Sequence, residues 1–173
     1  DSAETISSLK SAGYNCVLVT GDKKEIADSL SKQLNIDHTH SEVLPDEKAN
    51  IVTSYQDQGF IVAMVGDGIN DAPAIAQADV GIAMGSGTDI AMETGEIVLA
   101  HGDLKAVLRA TRLASATFNK IKQNLFWAFI YNIIAIPLAF AGVLHPVMAE
   151  VAMALSSINV VGNSNRLKSV KLN

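Results

Sequence analysis

From Leu125 to Leu144 the chain runs for 20 residues without a charged side chain. A helix needs roughly 20 apolar residues to cross the hydrocarbon core of a bilayer. A soluble helix of that length would show a polar face, and none appears here. Pro137 lies inside the run. Proline argues against an ordinary soluble helix but is tolerated in a membrane span, where neighbouring helices can satisfy the carbonyl it frees. His145-Pro146 then breaks the pattern, and Val147 to Gly162 is a second apolar stretch with one charge, Glu150, near its start. Lys105, Arg109, Arg112, Lys120 and Lys122 precede the pair, Arg166, Lys168 and Lys171 follow it, and the turn between has neither Lys nor Arg. Basic residues at both outer ends are the mark of a hairpin with both ends cytoplasmic.

The rest of the chain belongs to a different environment. Of its 173 residues, 49% are hydrophobic, and the net charge of −5 hides an asymmetry. Asp1 to Ala100 holds 5 basic and 16 acidic residues, whereas His101 to Asn173 holds 8 basic and 2 acidic. An acidic front and a basic, apolar back point to two environments rather than one globule. The acidic part argues against nucleic acid as a partner. The single cysteine, Cys16, rules out an internal disulfide and reads as a small buried hydrophobe. With no signal peptide and no initiator Met, the chain reads as a fragment or a processed product.

The first hundred residues alternate helical and strand patterns. Helices are expected at Ser2 to Ala12, Lys23 to Leu34, Pro45 to about Gln56, Ala72 to Gln77 and Thr88 to Glu93. Strands are expected at Tyr14 to Val19, Asp37 to Ser41, Phe60 to Val65, Asp79 to Ala83 and Glu96 to Leu99. Such alternation implies a parallel sheet covered by helices, with functional loops at the carboxyl ends of the strands. Asp103 can cap a long basic helix that leads into the apolar run. The expected divisions are a partial α/β domain over 1–102, a stalk helix over 103–122, two membrane helices over 123–165 and a tail over 166–173.

Three loop elements carry the chemistry. Thr20-Gly21-Asp22 ends the first clear strand, where a hydroxyl and backbone N–H groups can hold a phosphoryl oxygen; an ordinary turn has the same composition. Lys48 lies at the start of a helix, where the dipole disfavours a cation unless it faces an anion. Gly66-Asp67-Gly68-Ile69-Asn70-Asp71-Ala72-Pro73 is the strongest signal. Two carboxylates four apart, with an amide between them and glycines beside the first, follow a hydrophobic strand directly. Hard oxygen ligands of this kind suit Mg2+, which binds through one or two carboxylates together with a phosphate. Gly85-Ser86-Gly87-Thr88 reads as a flexible turn with Thr88 as a helix cap.

Thr20-Gly21-Asp22, Lys48 and Gly66 to Pro73, in this order, resemble the phosphorylation domain of P-type ATPases, which have the haloacid-dehalogenase-like fold. Ala78 to Ala91 is also similar to the stretch that follows in that family. The resemblance implies an α/β, haloacid-dehalogenase-like parallel sheet followed by a transmembrane helical hairpin, the C-terminal part of such a pump. It implies that Asp67 coordinates Mg2+ and Asp71 supports the same site, and that Asn70 hydrogen-bonds near the phosphoryl group. Thr20, with Gly21 and Asp22, binds a phosphoryl oxygen, and Lys48 neutralises its charge. Phosphoryl transfer is mostly positioning and charge stabilisation, so this division of labour is physically sensible. The family's nucleophile is the aspartate of an Asp-Lys-Thr-Gly-Thr motif, which does not occur here. The ATP-binding domain that lies between that motif and this stretch in the family is absent as well.

The helical pair holds a clue to the ion. Tyr131-Asn132 lies in the first apolar run, and Met153 and Ser156 lie three apart on one face of the second. A thioether is a soft ligand suited to Cu(I), although a methionine also packs well and a serine also ties helices together. Tyr-Asn followed by Met-x-x-Ser-Ser resembles the last two helices of copper-transporting P-type ATPases. Zinc and cadmium pumps of the group place an aspartate in the final helix, and this sequence has none there. The resemblance therefore implies a pump for Cu(I) or Ag(I) in the plasma membrane, its α/β part cytoplasmic, in contact with membrane lipid and with a metallochaperone as a possible donor. Two other functions fit the same residues: a membrane-tethered phosphatase of the same fold, and a truncated non-catalytic subunit. His38 and His40, two apart on one strand, read as an exposed edge rather than a metal site.

Overall fold

The computed structural model describes residues 2–66, 69–85, 95–100, 102–142 and 145–170. They fall into two compact units, Asp1–Leu108 and Arg109–Asn173.

In the first unit, helices and short parallel strands alternate as the pattern predicts. Helix α1 (Ser2–Ser11) buries Thr5, Ile6 and Leu9. Strand β1 (Val17–Val19), helix α2 (Lys24–Leu34) and strand β2 (His38–His40) follow. β1 pairs with β2 in parallel, Val17 opposite His38 and Val19 opposite His40. Helix α3 (Pro45–Asp57), strand β3 (Ala63–Gly66), a 3-10 turn (Ile69–Asp71), helix α4 (Ala72–Gln77), strand β4 (Val80–Met84) and strand β5 (Ile97–Leu99) complete the series. β3, β4 and β5 form a second parallel sheet in that order. The core is small and made of short side chains: Ala27, Val52, Ala74, Ile75, Ile82 and Ala83 are among its buried members. Helix α4 lies tight on β4, and a Cβ added at Gly81 would stand 2.7 Å from both the side chain and the carbonyl of Ile75.

The strands are shorter than the apolar runs that announce them. The Tyr14 N–H closes the end of α1 by bonding to the Leu9 carbonyl, and the Phe60 N–H does the same for α3 at the Tyr55 carbonyl. An N–H used to cap a helix is lost to a sheet ladder, so pairing starts later. Cys16 stands just before β1 and is half-buried, not a core residue; burial pushes its thiol pKa up. The expected helix over Thr88 to Glu93, and Thr88 as its cap, lie outside the described residues.

The predicted stalk and first apolar run are one element, which begins in the last residues of the first unit. Helix α5 (Leu104–Phe140) runs 37 residues with Pro137 inside it. Asp103 caps it, its carboxylate accepting the Ala106 N–H at 2.6 Å. Helix α6 (Pro146–Asn165) begins with proline at its first position, where the missing N–H has no intrahelical partner to lose. The His145 ring accepts the Val147 N–H. A 3-10 turn (Arg166–Ser169) follows. Among the described residues, α5 is the one helix long and apolar enough to cross a membrane. Phe129, Ile133 and Phe140 on α5, and Met148, Ile158 and Val161 on α6, are all exposed. Apolar surface on this scale marks a face made for lipid or for other helices.

Candidate active site

Thr20 follows β1 directly, its N–H bonded to the His40 carbonyl as the last rung of the β1–β2 ladder. Its hydroxyl donates to Asp22 Oδ2 at 2.9 Å and accepts the Asp22 N–H at 3.1 Å. Asp22 therefore orients the Thr20 hydroxyl and does not cap α2, whose N-cap is Lys23. The loop after β2 clasps this turn from the other side: the Glu42 N–H donates to the Asp22 carbonyl and the Val43 N–H to the Thr20 carbonyl. Gly21 lies close under that loop, and a Cβ there would meet the Val43 carbonyl oxygen at 3.4 Å.

Lys48 sits in the first turn of α3. Pro45, Asp46 and Glu47 precede it, and the Glu47 carboxylate accepts the Leu44 N–H. The anion that a cation needs at this position is Asp71: Lys48 Nζ lies 2.5 Å from Asp71 Oδ1, and the two side chains are 14% and 12% exposed. Asp71 ends the 3-10 turn after β3 and stands against Gly66. A Cβ at Gly66 would come within 2.6 Å of the Asp71 Cβ and 2.9 Å of its Oδ2, so only glycine lets the carboxylate return to the end of its own strand. Asn70 is exposed at the rim.

Of the predicted catalytic residues, then, the fold joins Lys48 to Asp71 and gathers Thr20, Gly21 and Asp22 into one turn. The hydrogen bonds of Thr20 do not extend to Lys48 or Asp71. Asp67, the expected Mg2+ ligand, lies outside the described residues. Among the described residues, no group of three or more His, Cys, Asp and Glu side chains is placed to hold a metal ion. His40 bonds instead to the Tyr55 hydroxyl at 3.1 Å.

A carboxylate that sequence reasoning did not single out holds the opposite end of this sheet. Asp79, just before β4, accepts the Val62 N–H at 2.8 Å and the Gln56 carboxamide at 3.1 Å. The Val62 bond, with that of Gln56, holds its carboxyl below the usual carboxylate range.

The predicted ion residues are distributed along α5 and α6. The Asn132 carboxamide donates to the Ala128 carbonyl of its own helix. The Tyr131 hydroxyl accepts from Asn159 of α6 at 2.8 Å. Met153 is 72% exposed, and Ser156 is half-buried. No hydrogen bond among the described residues joins the four into one cluster. Besides the Tyr131 bond, the bonds between the helices run through Lys120, Asn124, Asn163 and Ser164, none of them a predicted ion residue. Lys120 Nζ donates to Asn163 Oδ1 at 3.0 Å, the Asn163 amide to Asn124 at 2.9 Å, and the Asn124 amide to Ser164 at 2.8 Å. The signal for this seam is helical spacing: Lys120 and Asn124 share a face with Tyr131 on one helix, and Asn159 and Asn163 with Ser156 on the other, at intervals of three, four or seven.

Parallel strands joined by helices, with a Thr-Gly-Asp turn at one strand end and a lysine-paired carboxylate at another, are the arrangement of a haloacid-dehalogenase-like α/β fold. Residues 1–79 match the family described as haloacid dehalogenase-like hydrolase. Over nearly its whole length the chain is also similar to larger proteins. It is 53% identical to a probable copper-importing P-type ATPase A of Enterococcus hirae, over 99% of this chain and 24% of that protein. It is 49% identical to a copper-exporting P-type ATPase of Legionella pneumophila, over 98% of this chain and 24% of that one. The solved structure of a zinc-transporting PIB-type ATPase in its E2.Pi state superposes with a TM-score of 0.88 at 37% identity, covering 95% of this chain and 27% of that one. The chain belongs to the P-type ATPases, and it spans about a quarter of the length of these relatives.

Proposed function

We propose that the chain is part of an ATP-driven heavy-metal cation pump, carrying Cu(I) or Ag(I) and working through an aspartyl-phosphate whose nucleophile lies outside it. The observation that carries this reading is the likeness at 49% and 53% identity, across both units, to two proteins named as copper pumps. The soft Met153 thioether in α6, and the lack of any aspartate in that helix, favour copper or silver over zinc. α6 is then a second membrane crossing, with both ends of the α5–α6 hairpin cytoplasmic and its apolar outer face against lipid or other helices of the pump. Membership of the plasma membrane, ATP delivered by a nucleotide-binding domain elsewhere in the protein, and a metallochaperone as metal donor follow from the same reading.

The chain's own residues supply the electrostatic half of phosphoryl transfer. Lys48 has three N–H donors; with one on Asp71 it can turn another to a phosphoryl oxygen. Asp22 holds the Thr20 hydroxyl ready for a second oxygen, and Asn70 stands exposed for a third contact. The donor set suits Mg2+: the Asp71 carboxylate gives one oxygen to Lys48 and keeps the other, a hard ligand four residues after Asp67 in sequence. Held by Asp67 with support from Asp71, Mg2+ would neutralise charge developing on the phosphoryl group. For the Thr20 turn and the Asp71 loop to act on one phosphoryl group, the ends of the strands that carry them, β1 and β3, must flank one site. Each has an edge with no strand partner among the described residues, and we place the strand that bears the nucleophile between them.

In the full-length pump, Asp67→Asn removes one ligand charge and is expected to lower metal-stimulated ATP turnover by about 100-fold or more, since a metal's charge stabilisation is worth several kcal/mol. Near-normal turnover in that variant would remove Asp67 from the Mg2+ site.

A further inference from the structure

We propose that Asn159 is a positioning residue of the ion site, fixing the Tyr131 phenol where α5 and α6 meet; this rests on the reading of the chain as part of a metal pump. The seam between the helices is narrow and readable. Lys120, Asn124, Ala128 and Tyr131 of α5 are half-buried, as are Ala152, Ser156, Asn159 and Asn163 of α6. Their neighbours Ile133 and Ile158 are 64% and 66% exposed. Small and polar residues along such a seam let two helices approach and bond to each other in lipid.

Among the described residues, the polar bonds of the seam form two groups. Lys120, Asn124, Asn163 and Ser164 make one network near the basic end of the pair. Tyr131 and Asn159 make the other, one bond of 2.8 Å deeper in the apolar run. Asn132, the carboxamide beside Tyr131 in sequence, is exposed and satisfied by its own helix. Asn159 is thus the carboxamide that acts on the phenol. Its N–H takes a lone pair of the Tyr131 oxygen, which leaves the phenol O–H free to donate toward the ion path. A polar pair is expensive inside lipid and usually faces a bundle interior or an ion path. Asn159 also stands one turn after Ser156, so the bond that orients Tyr131 sets that turn of α6 against α5.

The test is a double-mutant cycle in the full-length pump, with Asn159→Leu, Tyr131→Phe and the pair together. The readout is the metal concentration that half-saturates phosphorylation from ATP, using whichever of Cu(I), Ag(I) or Zn(II) stimulates the parent pump. The identity of the ion and the role of Asn159 are thereby read separately. Competent protein is counted by phosphorylation from inorganic phosphate without metal. Each single change is expected to raise the half-saturating concentration about three- to tenfold, and the double change no further. Asn163→Leu, in the other group, is expected to leave that concentration where it was. An unshifted concentration in Asn159→Leu, additive shifts in the double variant, or an equal shift in Asn163→Leu would each overturn the assignment.

Discussion

Lys48 and Asp71 are the most informative pair of residues in the α/β unit. The helix dipole disfavours a cation at the start of α3, and the structure answers with a carboxylate 2.5 Å away, both side chains nearly buried. Removing one partner of such a pair strands a charge, at a cost of about 3–5 kcal/mol, whereas removing both can be close to neutral. Thermal unfolding of the pump should therefore show Lys48→Met destabilised by about 3 kcal/mol and Lys48→Met/Asp71→Asn recovering more than half of that loss. Simple addition of two destabilisations would mean the pair is not coupled. That Lys48 needs an anion was legible from its position alone. That the anion is Asp71 was not, because the residues are 23 apart in sequence and meet only when β3 returns its loop to α3. The Gly66 requirement was half-legible: the glycines beside Asp67 stand out in the sequence, but the reason for Gly66 is the approach of the Asp71 side chain.

At the scale of elements, periodicity placed every described helix and strand, and the late strand starts share one cause. Where an apolar run follows a helix, as at Tyr14 and Phe60, its first N–H caps that helix and the strand begins late. Hydropathy cannot see this competition for backbone groups. The helix pair failed in a different way. Asn159 sits inside the second apolar run, and Asn124 and Asn163 border the two runs, so composition marks out Tyr131-Asn132 and Met153, while the bonds that tie α5 to α6 follow the spacing between polar residues. The clip at the start of β3 and β4 gives a pH prediction. The Asp79 carboxyl is held below its ordinary value by the Val62 N–H and Gln56. A depressed carboxylate contributes stability above its unfolded pKa, near 4, and that contribution is lost as pH falls through the lower folded value. Asp79→Ala should therefore melt below the parent at pH 7. The gap should narrow as the pH drops below about 4. A gap constant with pH would mean that the carboxylate charge has no part in the clip.

For the whole molecule, the contrast between an acidic α/β part and a basic helical pair is visible in charge alone, and the chain forms two compact units, Asp1–Leu108 and Arg109–Asn173. A chain that spans about a quarter of its relatives holds the lysine, the threonine turn and the carboxylates; in the proposed function the nucleophile lies outside it. The account stands on what stimulates the complete pump. The most direct measurement is phosphorylation of the full-length protein from ATP across a panel of Cu(I), Ag(I), Zn(II) and Cd(II). We predict a hydroxylamine-sensitive phosphoenzyme that rises with Cu(I) and Ag(I) and stays at its metal-free level with Zn(II) and Cd(II). A phosphoenzyme that answers to Zn(II) or Cd(II) and ignores Cu(I) would contradict the account.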